Sequence, residues 1–383
     1  MSIYNFVLDR HLILFRPSDN RLFLLNPTAG WIWQATAAGM NASEIAGLLA
    51  EQYSVPVEEI EQDVTATLEQ WHSKELEPAV QNTQAEAFSP PPPDAVLHSL
   101  PADRQPAFQQ NFSYGQNSFS LTVYPPELRS SFAPLLNNLA PLTSQADIHI
   151  NVLKDKDEYI ITKGQLELER TLNENIAVGR VLQAMVEYGY PDTAWMAYIH
   201  ASAGDLAGHG VIFPAIGGSG KSTLMAALSC SGWTYWGDDT VPLNLDGNAG
   251  AMHLNQCIKS GSWEVLKKYY PDMDQLPEYN RYNKRVRYLP VTTDQKDYSS
   301  TFAVHKLVFP SYSADCRQSL EPITAVQALQ FLIDAQTWIS PDPVHAETMI
   351  NWISTIPAFT LRYHDLDWAA AKLETLIQNE QNS

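Results

Sequence analysis

The sequence predicts an α/β domain built around a phosphate-binding loop, preceded by a small α+β module of winged-helix type. Three observations carry that expectation. Residues 1–78 hold three short apolar strand patterns followed by three helical ones. Four consecutive prolines, Pro90–Pro93, lie in the stretch that follows. A glycine-rich loop, Ala215-Ile-Gly-Gly-Ser-Gly-Lys-Ser, stands between a strand pattern and a helix pattern, with Asp238-Asp239 shortly downstream.

In the first block, Tyr4–Leu8, His11–Phe15 and Arg21–Leu25 are apolar or alternating and are separated by turn residues such as Pro17-Ser18-Asp19-Asn20. They read as short strands. Asn26-Pro27 is a cap and first-turn signal, which places a helix over Thr28–Ala38. Asn41 with Glu44 three residues later opens a second helix. Pro56 opens the third, whose Ile60, Val64, Leu68 and Trp71 form one helical stripe.

Residues 79–117 read as a proline-rich linker, because consecutive prolines continue neither a helix nor a central strand and favour a stiff, extended spacer. Beyond it, residues 118–383 read as one α/β domain. Phe119–Val123, Asp147–Leu153 and Glu158–Thr162 read as strands. Asn175–Tyr188 reads as a helix with Ile176, Val181, Met185 and Val186 inward. Ala197–Ala203 and Gly210–Ile216 read as two strands joined by a turn at Gly204–Gly208, and the chain closes with a strand at Ala358–Tyr363 and a helix at Leu366–Gln378.

The loop matches the P-loop pattern at Gly220-Lys221-Ser222, with Ala215 where the first glycine would stand. Gly217 and Gly218 still supply permissive backbone around Ser219, so that consecutive N–H groups can turn toward an anion. Lys221 would reach the outer phosphates of ATP, Ser222 would sit on Mg²⁺, and the helix from Thr223 would point its positive end at the phosphates. The Asp238-Asp239 pair after the next strand suits two tasks: one carboxylate on Mg²⁺ and one as base for an incoming hydroxyl. His200 lies on an upstream strand pattern. The basic cluster Arg281, Lys284, Arg285 and Arg287 is either a solvated face or a loop that covers ATP phosphates.

Charge bounds the partners. The 383 residues carry a net charge of −19, which disfavours nucleic acid and anionic membranes. The first block alone has four Arg and Lys against eleven Asp and Glu, a net −7, so its winged-helix shape is not read as a DNA reader. The N-terminus has no basic start followed by an apolar stretch, and no apolar run approaches the roughly 20 residues of a membrane span. Cys230, Cys257 and Cys316 are far apart and read as reduced thiols. The expected compartment is the cytoplasm.

The order of Tyr198-Ile199-His200-Ala201, the loop Gly217–Thr223, and Asp238-Asp239 followed by Val241-Pro242-Leu243 resembles the HPr kinase/phosphorylase family, in its diverged HPr kinase-like relatives. That resemblance implies an α/β P-loop kinase fold related to phosphoenolpyruvate carboxykinases. It implies a serine hydroxyl as acceptor and an assisting role for His200 beside the catalytic aspartate. It also permits a homo-oligomer. Residues 1–78 resemble PqqD-like recognition elements, through Leu25-Asn26-Pro27-Thr28-Ala29, Ile32-Trp33, Gly39, Glu44-Ile45-Ala46 and Ile60–Leu68. This implies that the leader of a ribosomally made precursor peptide adds a strand at residues 21–25 and lies against the helix of residues 57–72. Together the resemblances imply an ATP- and Mg²⁺-dependent serine kinase acting on that peptide. A non-catalytic ATP-sensing chaperone or scaffold, a plain ATPase and a small-molecule kinase are the alternatives.

Overall fold

The computed structural model describes residues 2–78, 96–101, 104–281, 283–291 and 301–381. The polyproline run lies outside the described residues. No helix among the described residues is long and apolar enough to cross a membrane.

The N-terminal module has β1 (Tyr4–Leu8), β2 (His11–Arg16), β3 (Arg21–Leu25), α1 (Pro27–Ala37), α2 (Ala42–Tyr53) and α3 (Val57–Ser73). Its strands form an antiparallel sheet in the order β1-β2-β3. The helix starts follow from the caps. Asn26 accepts from the Ala29 N–H at 2.8 Å, and Asn41 and Glu44 form a reciprocal capping box. The predicted stripe of α3 points inward, with Val64 and Trp71 buried and Trp71 edge-on to Trp33 at 5.3 Å.

A second unit consists of β4 (Phe108–Tyr114), β5 (Asn117–Val123), α4 (Arg129–Leu136), β6 (Ile148–Asp155), β7 (Glu158–Lys163), β8 (Leu166–Thr171) and α5 (Glu174–Gly189). Its five strands are ordered β4-β5-β6-β7-β8, with β5 and β6 parallel. Two sequence expectations change here. The stretch read as linker contains β4, which pairs with β5 along its whole length because Phe112 and Tyr114 bury into the core beside Phe119. Ile176 was expected inward but is 51% exposed, since the buried face of α5 is carried by Ala177, Val181, Met185 and Val186.

The remaining elements are β9 (Trp195–Ile199), β10 (Ala201–Leu206), β11 (His209–Pro214), α6 (Lys221–Ser229), β12 (Thr234–Gly237), β13 (Val241–Asn244), β14 (Asn248–Gly250), β15 (Gln256–Lys259), α7 (Trp263–Leu266), β16 (Tyr279–Arg281), β17 (Lys284–Leu289), β18 (Thr301–Tyr312), β19 (Ser319–Ile323), α8 (Ala325–Asp334), β20 (Trp338–Ile339), α9 (Pro343–Thr355), β21 (Ala358–Tyr363) and α10 (Leu366–Gln381). The long strand β18 organises a ten-stranded mixed sheet. Along its length it pairs in parallel with β11 and β21 and antiparallel with β14. One wing then runs β12-β10-β11-β18, and the other runs β18-β14-β13-β9-β20. A small fourth sheet has the order β15-β17-β16.

Strand β2 explains why Leu12–Phe15 is apolar without alternation. Leu12 and Leu14 pack into the module's own core with Ile32, Trp33 and Ile45. Ile13 and Phe15, on the opposite face, pack with Leu329 and Leu332 of α8 and Ile350 and Ile353 of α9. Side chains alternate across a strand, so a strand covered on both faces needs apolar residues at every position. The N-terminal sheet is therefore one layer of a continuous core that reaches into the large domain.

Candidate active site

The segment read as one strand, Ala197–Ala203, is two. It leaves the second wing as β9, passes through His200, and enters the first wing as β10. The neighbouring segment makes the reverse change of wing, from β12 through Asp238-Asp239 to β13. Ile199 pairs with Val241 on one side of the crossing and Ala203 with Gly237 on the other. Between those pairs the ladder opens, which frees His200 and the aspartates from regular pairing. Asp239 takes a left-handed backbone, φ 67°, a conformation that costs a non-glycine residue free energy and recurs at functional sites.

The loop follows β11, whose Val211 and Phe213 anchor it in the same core as Leu224 and Leu228 of α6. Gly218 has φ +97° and Gly220 φ +94°, which is what glycine supplies here. Cβ atoms built on Gly217 or Gly218 meet nothing within 4 Å, so the loop faces open space. Ala215 is buried and its N–H reaches the His200 carbonyl at 3.4 Å. Its backbone is not left-handed, so this position does not need glycine. Alanine at Gly220 would put its Cβ 2.4 Å from Tyr363 Oη at that positive φ. Gly220→Ala is expected to destabilise the fold by roughly 1–3 kcal/mol of backbone strain, read as a lower denaturant midpoint.

Lys221 is buried, and its Nζ donates to His200 Nε2 at 2.9 Å. His200 Nδ1–H donates to the Asp239 carbonyl at 2.9 Å. A carbonyl only accepts, so the proton sits on Nδ1 and Nε2 is left as the acceptor for the ammonium: the imidazole is neutral. Burial pushes the His200 pKa down and the adjacent Lys221 charge adds to this, which agrees with the hydrogen bonds. Burial also pushes the Lys221 ammonium down, partly offset by Asp238 and Asp239.

The two aspartates are placed differently. Asp238 Oδ1 accepts from the Ser202 hydroxyl, and Oδ2 is buried with no hydrogen-bond partner among the described residues. Burial, then the neighbouring Asp239, push the Asp238 pKa up, while Lys221 and the Ser202 and Ser222 hydroxyls partly counter this. Asp239 is 36% exposed and lies 3.3 Å from Arg281 Nη1. Its burial raises the pKa, but Arg281 and Lys221 outweigh it and hold the carboxyl below the ordinary range.

The buried Asp238 carboxylate, with the Ser222 hydroxyl beside it, fits a hard divalent cation. Among the described residues no group of three His, Cys, Asp or Glu could hold a metal. The donor set at Asp238 and Ser222 thus fits Mg²⁺ that completes its shell with phosphate and water rather than an all-protein cage.

Gly217, Ser222, His200 and Asp239 open onto one cavity of about 870 Å³. Of the other predicted residues, Thr223 shares a 2.5 Å hydroxyl contact with Ser262, and the Ser219 carbonyl accepts from the Tyr312 N–H at 3.0 Å. Ser202, Lys259 and Trp338 belong to the site or its walls and escape sequence reading, since no motif joins them to the loop.

At the N-terminal module, β3 ends the sheet, with one edge unpaired among the described residues. The β2–β3 turn touches the cavity wall: with the Asn20 amide assigned the orientation that satisfies both neighbours, its oxygen accepts from Trp338 Nε1 at 2.8 Å and its nitrogen donates to the Pro17 carbonyl at 3.1 Å, and Trp338 lines the cavity. No curated protein matches the chain. Residues 11–76 match the family of coenzyme PQQ synthesis protein D (PqqD), a RiPP recognition element, which ties this chain to a ribosomally made precursor peptide.

Proposed function

We propose that this chain is an ATP- and Mg²⁺-dependent kinase that phosphorylates a serine hydroxyl of a precursor peptide whose leader is held by the N-terminal module. The observation that carries the reading is the single cavity shared by the glycine-rich loop, Ser222, His200 and Asp239. Bound Mg²⁺-ATP would supply an electrophilic phosphorus and a leaving group. Asp238 and Ser222 would hold the metal. Asp239, the more exposed carboxylate, would orient the acceptor hydroxyl and take its proton. Lys221, released from His200, would carry phosphate charge together with the loop N–H groups. His200 fixes the Asp239 carbonyl, and so positions the base rather than titrating.

The leader would pair with the free edge of β3 and lie against α3. Running antiparallel to β3, it would leave the module at Arg21, beside Asn20 and Trp338, and direct downstream residues to the cavity.

The test is intact-mass analysis of a precursor peptide incubated with the protein, ATP and Mg²⁺. One added phosphate is expected. Lys221→Ala is expected to abolish it while the leader binds with unchanged affinity. A bound leader with no phosphate transfer from the unaltered protein would support the scaffold reading instead.

A further inference from the structure

The basic run at Arg281–Arg287 is divided by strand alternation. Arg285 and Arg287 stack over Trp263 and pair with Glu278 and Asp274. Lys284 and Val286 project from the other face of β17. Lys259 of β15 is the cross-strand partner of Val286, and Arg281 of β16 is that of Lys284. Partners across a ladder share a face. Cys257, Lys259, Arg281, Lys284 and Val286 accordingly all line the cavity that holds His200, Ser222 and Asp239. The small sheet is thus a wall of the site.

The charge of this wall runs against that of the chain. Arg180, Lys259, Arg281 and Lys284 line the cavity against Glu169 and Asp239, in a protein of net charge −19. Arg180 is paired with Glu187 and Arg281 with Asp239. Lys259 and Lys284 have no ion-pair partner among the described residues, and both are exposed. Lys259 is close enough to the reacting centre to act on the charges of Lys221 and Asp239, and Lys284 stands on the neighbouring strand of the same cavity wall. As diagonal neighbours on one face they stand roughly 7–8 Å apart, close to the spacing of alternate side chains in an extended peptide.

We propose that Lys259 and Lys284 are specificity residues that bind acidic side chains flanking the acceptor serine. The inference rests on the kinase reading for the identity of the acceptor. Phosphate recognition has its own machinery in the loop, Lys221 and the start of α6, which leaves this pair for the second substrate.

The test uses the full chain with Mg²⁺ and the imido analogue of ATP. Three fluorescein-labelled decapeptides with one central serine would be compared, flanked by glutamate, glutamine or lysine. The glutamate peptide is expected to bind roughly ten-fold tighter than the glutamine peptide. Lys259→Glu/Lys284→Glu, held at a concentration of the ATP analogue that saturates the variant, is expected to reverse the order in favour of the lysine peptide. Lys284→Gln alone should reduce the preference without reversing it. Equal affinities, binding of none of the three, or a preference that survives charge reversal would overturn the proposal. So would weaker nucleotide binding with unaltered peptide preference, which would assign the lysines to phosphate. Phosphate transfer with ATP is read separately: its absence alongside the acidic preference would count against the kinase reading alone.

Discussion

Replacing Asp238 with asparagine is expected to lower phosphate transfer to the precursor peptide by roughly 10³-fold or more, the scale of losing one preorganised electrostatic contact to the transition state. The carboxamide keeps an oxygen for the Ser202 hydroxyl. It lacks the negative charge that the buried Oδ2 would offer a cation. The residual rate should therefore need higher Mg²⁺, while leader affinity stays unchanged. Asp239→Asn should also cut the rate but leave the Mg²⁺ dependence alone, because this residue faces the cavity and Arg281. A reversed pattern would exchange the two roles. Proton uptake gives a second readout. Arg281 and Lys221 hold the Asp239 carboxyl below its ordinary range, so the acid limb of kcat/KM lies below that of a free aspartate. Arg281→Gln removes the leading depressing charge, and the limb should move to higher pH. An unmoved limb would mean that another group sets it.

Truncating Phe15 to alanine is expected to cost about 3–5 kcal/mol, the usual range for a fully buried phenylalanine. The interest lies in where the loss falls. Phe15 is completely buried, in the core shared with α8 and α9, whereas Leu12 points into the module's own core with Trp33. Hydrogen exchange followed by mass spectrometry separates the two. Phe15→Ala should speed exchange in β1–β3 and also in α8 and α9. Leu12→Ala should speed it in β1–β3 and α1–α3 and spare α8 and α9. If both variants affect only residues 1–78, the module and the large domain do not share a cooperative core.

The local signals were legible wherever a short-range rule determines the structure. The Asn41–Glu44 capping box, the stripe of α3 and the strand-loop-helix around Gly217–Ser222 all stand where spacing placed them. The misses have physical causes. Phe108, Phe112 and Tyr114 carried a readable alternation, but the composition of the neighbouring proline stretch obscured it. At Ile176, helical periodicity fixed the direction of the apolar stripe of α5 less well than packing against β5–β8 did. His200 was visible, but the break it marks was not, because an apolar run looks the same whether it serves one sheet wing or two. The walls of the cavity were out of reach altogether: Arg180, Lys259 and Trp338 are brought together by three different elements far apart in the chain.

The double-sided burial of β2 also bears on redirecting the protein to other peptides. Recognition modules are attractive units to exchange, and residues 1–78 invite a simple graft at the segment that follows them. Such a graft would carry a foreign sheet face onto α8 and α9, opposite positions shaped for Leu8, Ile13 and Phe15. A chimera that transplants the module alone should therefore be poorly behaved, and one that also exchanges Ala328, Leu329, Leu332, Met349, Ile350 and Ile353 should recover. The unit to exchange is then discontinuous in sequence: the first seventy-odd residues together with two helix faces more than three hundred residues into the chain.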